Sequence, residues 1–190
     1  MMKTGTKNIF RPGRTLLRPF LKSDARTGPA RLRKDESGAT AVEFALVATP
    51  FFALLMALFE VGMIFWTGSL LDNAVADAAR LIRTGQAQAG GFSKSKFRTA
   101  ICAKMFMIDC NKLVIDVRKF PDFNSVTTPS LVKGSNLKPG SFALGTGGEI
   151  VLVRVFYKWS LLAPYLTLMN NMGSDSRLLA SAQLFRNEPF

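Results

Sequence analysis

Two cysteines, a glycine and a glutamate five positions apart at the head of an apolar run, and a scatter of other carboxylates are the residues that could do chemistry in this chain of 190 residues. Histidine is absent, which removes Ser-His-Asp and Cys-His nucleophilic machinery and any imidazole metal site. Two cysteines fall short of the four Cys/His ligands of a structural zinc site. Thr146-Gly147-Gly148 is followed by no Lys-Ser/Thr pair, so it is not a phosphate-binding loop. No two carboxylates form a recognisable acid–base arrangement, and Asp116, alternating with apolar neighbours on a predicted strand, is expected to face solvent. The expectation is a protein that is not an enzyme, with no cofactor, no metal and no small-molecule substrate.

The charge layout says where the remaining candidates sit. Residues 1–38 carry ten basic and three acidic side chains, and residues 35–79 contain no Lys or Arg. Residues 68–190 carry 15 basic and 8 acidic side chains, within a total formal charge of +12. A basic head, an uncharged middle and a mixed tail are the pattern of a membrane-inserted chain. Between Glu43 and Glu60 lie sixteen residues interrupted only by Thr49 and Pro50. At about 1.5 Å per residue they cover roughly 24 Å, short of a ~30 Å hydrocarbon layer. Extending the helix over 61–66 closes the gap and brings Trp66 to an interface, so residues 41–66 are predicted to span a membrane once. Pro50 is expected to kink the span. Glu60, about 26 Å beyond Glu43 by the helical rise, is expected at the outer interface rather than in a specific contact.

The basic head is expected to hold the N-terminus in the cytoplasm, leaving the tail outside. Topogenic charge accounts for that head more simply than binding of nucleic acid or anionic lipid. The apolar run is longer than a secretory h-region, and Ala87-Gln88-Ala89 lies too far beyond it for ordinary signal cleavage. Glu43, an ionisable group at the membrane entrance, either snorkels to the headgroups or is functional.

Gly38 followed by Glu43, beside a basic leader and at the head of the apolar helix, looks like a type IV prepilin processing site. The longer string GATAVEFALVATPFFALLMALFEVG resembles the TadE-like minor pilins, or pseudopilins, of the tight-adherence (Flp) type IVb pilus system. The segments LLDNAVADAARLIRTGQ and ASAQLFRNEPF are also similar to that family. The resemblance implies that a prepilin peptidase cuts after Gly38, freeing Ala39 as a new N-terminus. It also implies that Glu43 can neutralise the new α-amine of a neighbouring subunit when helices pack, since either charge is costly to bury alone. Glycine suits the cleavage point because it leaves the backbone unobstructed.

Beyond the span, Leu70, Leu71, Ala74, Val75, Ala78, Leu81 and Ile82 recur at helical spacing, with Gly85 as a C-cap. One rod over 41–84 is therefore predicted. A second helix over 93–107 follows the Gly90-Gly91 hinge, and strands are predicted over 113–120, 149–159 and 178–186. Residues 121–148 read as a long Pro/Gly-rich loop, and 160–173 as a helical turn broken at Pro164. Cys102 and Cys110, eight apart, would lie about 12 Å from each other on one continuous helix, too far to bond. A turn near 107–109 lets them close a disulfide outside the cytoplasm; otherwise both are free buried thiols.

The resulting fold class is α+β: a long N-terminal helix, half transmembrane and half amphipathic, with a small C-terminal domain of a short helix and an antiparallel sheet. The segments are a basic cytoplasmic leader (1–38), the transmembrane helix (39–67), its amphipathic continuation (68–86) and a periplasmic domain (87–190). Implied partners are the prepilin peptidase, other pilin-like subunits of the Tad machinery and the inner membrane, with no nucleic acid. The implied role is to assist pilus assembly and adhesion, in the bacterial inner membrane and, after processing, with the pilus. The competing expectation is an uncleaved single-pass inner-membrane protein whose periplasmic domain binds a partner in an envelope or secretion complex.

Overall fold

The computed structural model describes residues 38–106 and 108–190. The basic leader up to residue 37, and Met107 in the expected turn, lie outside the described residues. The chain divides into two compact units, 1–46 and 47–190. In the first, residues 38–46 are all exposed.

The first element, α1 (Ala39–Arg83), is helical without interruption although Pro50 lies inside it. Its Ala-, Leu- and Met-rich composition favours helix. It stops where Gly85 adopts φ 76° and returns its N–H to the Ile82 carbonyl, with Arg80 and Arg83 in the last turn to complement the helix dipole. From Glu60 onward one side of α1 is buried: Ile64, Thr67, Leu71, Ala74, Val75, Ala78 and Ile82 follow at three- and four-residue steps. Before Glu60, within the second unit, Phe51, Phe52, Leu54, Leu58 and Phe59 are exposed. α1 is long and apolar enough to cross a membrane, and none of its most apolar eighteen-residue window is buried.

After a single helical turn, α2 (Gln86–Ala89), comes α3 (Lys94–Cys102), capped by Ser93, whose hydroxyl accepts from the Lys96 N–H. Five strands follow: β1 (Val114–Phe120), the short pair β2 (Val132–Lys133) and β3 (Asn136–Leu137), then β4 (Ile150–Ser160) and β5 (Ser176–Arg186). β4 is the centre of a three-stranded antiparallel sheet in the order β1-β4-β5. One sheet face (Ile115, Val117, Val151, Val153, Val155, Tyr157 and Leu179) joins Phe97 and Ile101 of α3 and the buried side of α1 in a single core. Fully burying each of its large aliphatic or aromatic side chains is worth about 1.5–3 kcal/mol. The fold class is α+β, with a long N-terminal helix and a small domain of short helix and antiparallel sheet.

Three expectations are corrected. α3 ends at Cys102 rather than Met107, because its last amide ladder tightens (Lys104 N–H to the Ile101 carbonyl, Met105 N–H to the Cys102 carbonyl) and the chain turns back. Residues 121–148 contain the 3-10 turn Phe123–Ser125, the β2–β3 pair and a parallel bridge from Phe142 to Val117, not a plain loop. Pro164 starts a helical turn, α4 (Pro164–Thr167), instead of breaking one; at the first helical position its missing N–H costs nothing.

Candidate functional site

Gly38 and Ala39 lie at the start of α1 and Glu43 one turn on, and all three are exposed. Among the described residues, no atom lies within 4 Å of where a Cβ on Gly38 would be.

Glu60 departs from its expected interfacial placement. It is 1% exposed, and its Oε1 accepts the backbone N–H groups of Leu162 and Ala163, the latter at 3.1 Å. Its Oε2 is buried with no hydrogen-bond partner. A carboxylate on α1 thus grips the connection between β4 and β5, about a hundred residues away in sequence. The sequence signals only that an acid interrupts an apolar run; nothing local reveals its partner.

Cys102, the last residue of α3, is bonded to Cys110, the first residue of the 3-10 turn Cys110–Lys112, with Cα atoms 6.0 Å apart. The turn between them is tied to the sheet by the Asp109 N–H, which donates to the Tyr157 phenol oxygen at 3.4 Å.

Asp116 does not face solvent; it is fully buried. Its register partner on β4 is Arg154, whose Nη2 and Nε donate to Oδ2 at 2.6 and 3.2 Å. Arg118 Nε lies 3.0 Å from Oδ2, and the Ser141 N–H donates to Oδ1 at 2.8 Å. Burial pushes the Asp116 carboxyl upward, but the hydrogen bonds from Arg154, Arg118 and Ser141 outweigh it and hold it below its ordinary value. Arg154 also donates to the Pro129 carbonyl at 3.1 Å. The second sheet face is therefore roofed by the 121–143 segment, which runs so close that a Cβ on Gly140 would fall 2.5 Å from the Ile115 carbonyl oxygen. Both Asp116 oxygens are matched within the chain, which marks a structural network rather than a reactive one.

Residues 187–190 return to the end of α1. The Glu188 N–H donates to the Arg83 carbonyl at 2.9 Å, and its carboxylate pairs with Arg83 at 3.4 Å. The Asn187 amide donates to the Leu144 and Thr146 carbonyls, and the Phe190 ring covers Gly85. Nearby, Glu149 is held below its usual value by the Thr146 N–H and by Lys119.

Among the described residues no group of three or more Cys, Asp or Glu side chains could hold a metal ion. A groove of about 480 Å³ lined by Asp77, Arg80, Gln86 and Lys104 has its carboxylate already bonded to Lys104 at 2.6 Å; that cation holds the Asp77 carboxyl below its ordinary value.

What these features define is an α+β domain built onto the far half of one helix whose near half fits a single membrane span. Residues 38–80 match the family model described as TadE-like protein. Over that segment, less than half of its length, the chain is similar to TadE-like proteins. No curated protein and no solved structure matches the chain.

Proposed function

We propose that this chain is a minor pilin-like subunit, a pseudopilin, of the Tad/Flp pilus apparatus, cut after Gly38 by a prepilin peptidase and assisting pilus assembly and adhesion. The observation that carries the reading is a family match beginning at Gly38 itself, on a residue whose Cβ position is clear of every described atom. In this reading residues 1–38 are a cytoplasmic leader, 39–67 a transmembrane helix in the inner membrane, 68–86 its amphipathic continuation, and 87–190 a periplasmic domain. Mature Ala39 carries an α-amine for which Glu43 of a neighbouring subunit is the counter-ion, and other pilin-like subunits are the assembly partners.

The test is the N-terminal residue and intact mass of the membrane-extracted protein, with and without a co-expressed prepilin peptidase. A peptidase-dependent start at Ala39 is the expected result. Retention of the leader under both conditions would sink the reading in favour of an uncleaved single-pass protein that binds an envelope partner.

A further inference from the structure

The connection between β4 and β5 is long, apolar and held against α1 at Glu60. From Trp159 to Ser174 it contains no charged residue. Leu162, Tyr165, Leu166 and Leu168 are 67%, 89%, 51% and 79% exposed, a concentration of large uncovered side chains that a water-facing loop does not need. We infer that this loop is a second membrane contact: it dips into the outer leaflet of the bilayer that α1 crosses, so that the folded domain sits on the lipid surface.

Three independent observations support lipid as the occupant. The first is depth. Residues 44–59 cover only about 24 Å of a ~30 Å hydrocarbon layer, so a spanning α1 must continue past Glu60 before it leaves the lipid. The Leu162 and Ala163 amides are bonded to Glu60, which fixes the loop at that level.

The second is that most amides from Leu161 to Leu168 are satisfied within the chain. Non-helical chain at membrane depth needs partners for its polar groups. The Leu161 N–H is bonded to the Asp175 carbonyl, Leu162 and Ala163 to Glu60, and Leu166, Thr167 and Leu168 to carbonyls of Ala163 and Pro164 within α4; Pro164 has no N–H. The Met169 carbonyl is taken by Arg177 at 2.8 Å.

The third is the placing of amphipathic aromatics. Of the chain's two Trp and two Tyr, Tyr157 and Trp159 pack in or against the core, whereas Tyr165 in the loop and Trp66, beyond Glu60 on α1, are exposed. Trp66 meets Phe106 at 6.2 Å. Trp and Tyr with one apolar and one polar end are the residues that line a membrane interface.

The inference rests on the reading of α1 as a membrane span, and the experiment separates the two. A nitroxide is attached at Leu168→Cys, and separately at Phe52→Cys in the exposed apolar part of α1 and at Ser130→Cys on the far sheet face. The native cysteines are already bonded to each other. The full chain is reconstituted in phosphatidylethanolamine–phosphatidylglycerol vesicles, and collision with oxygen, which partitions into lipid, is compared with collision with a water-soluble nickel chelate. The expected result is an oxygen preference at 52 and 168, severalfold over the nickel chelate, and the reverse at 130. A nickel preference at 168 with an oxygen preference at 52 overturns the loop insertion and leaves the span intact. A nickel preference at 52 overturns the span and the loop insertion with it. Loss of both collisions at 168 together with spin–spin broadening between copies overturns lipid as the occupant in favour of a second copy of the chain.

Discussion

Asp116 and Glu60 are buried acids handled in opposite ways. Asp116 is fully enclosed with two guanidinium groups and an amide on its oxygens, whereas Glu60 has only neutral amide donors at one oxygen. Neither environment was legible locally. Alternation along β1 marks two faces, but it cannot report that residues 121–143 roof the second one, and so Asp116 was expected in solvent. Arg154 was the missing clue: a cation centred in the apolar run of β4 needs an acid across the sheet. Replacing Asp116 with Asn removes the partner of an Arg154 that is only 8% exposed, and breaking a buried pair in this way costs about 3–5 kcal/mol. The sign with pH follows from a folded carboxyl held below the ordinary 3.8. The stabilisation is fully present above the unfolded value and is lost as pH falls through the lower folded value. Denaturation curves of wild type and Asp116→Asn in detergent should therefore differ by a constant amount at neutral pH and converge only below about pH 4. A gap that closes between pH 7 and 5 would refute this assignment.

At the scale of elements, periodicity was a good guide wherever packing is one-sided. The amphipathic half of α1, the Gly85 stop and the three main strands are all where their spacing indicates. It failed where closure depends on distant chain: α3 is cut short at the turn that joins Cys102 to Cys110, and the 121–148 segment acquires its structure from the face it covers. The end of α1 combines both kinds of information. Gly85 has φ 76°, which a glycine adopts without penalty, while a Cβ there would also lie 2.6 Å from the Phe190 ring. Gly85→Ala should thus cost more than the ~1 kcal/mol of backbone strain alone. Combining it with Phe190→Ala separates the two contributions, because only the ring clash is relieved. The expected double-mutant cycle has a favourable coupling of at least about 0.5 kcal/mol between the two changes, above the additivity seen for independent sites. Strict additivity in urea unfolding would mean that the ring does not press on residue 85 in solution.

For the whole molecule, the division of labour along α1 follows from charge and hydropathy alone: no Lys or Arg over residues 35–79, apolar side chains exposed before Glu60 and a buried stripe after it. What those patterns do not contain is how the domain closes on the helix, since Glu60 with Leu162 and Arg83 with Glu188 are pairs separated by about a hundred residues. The same division bears on assembly. With the far half of α1 covered by its own domain, the apolar near half is left to meet lipid in the membrane or other helices in an assembly. In lipid, Glu43 near the entrance can reach the headgroups; among helices it needs a cation, which in the function proposed above is the freed amine of Ala39. Glu43→Gln leaves the shape and the apolar run unchanged, so the variant should reach the membrane at the wild-type level. It should lose assembly, because each packed subunit then buries an unpaired amine at about 3–5 kcal/mol. Cross-linking of peptidase-processed protein in membranes should accordingly recover at least tenfold fewer oligomers from Glu43→Gln than from wild type. Equal yields of processed chain and equal oligomer yields from the two would rule out Glu43 as the counter-ion, and with it the pairing of neighbouring helices through their first turns.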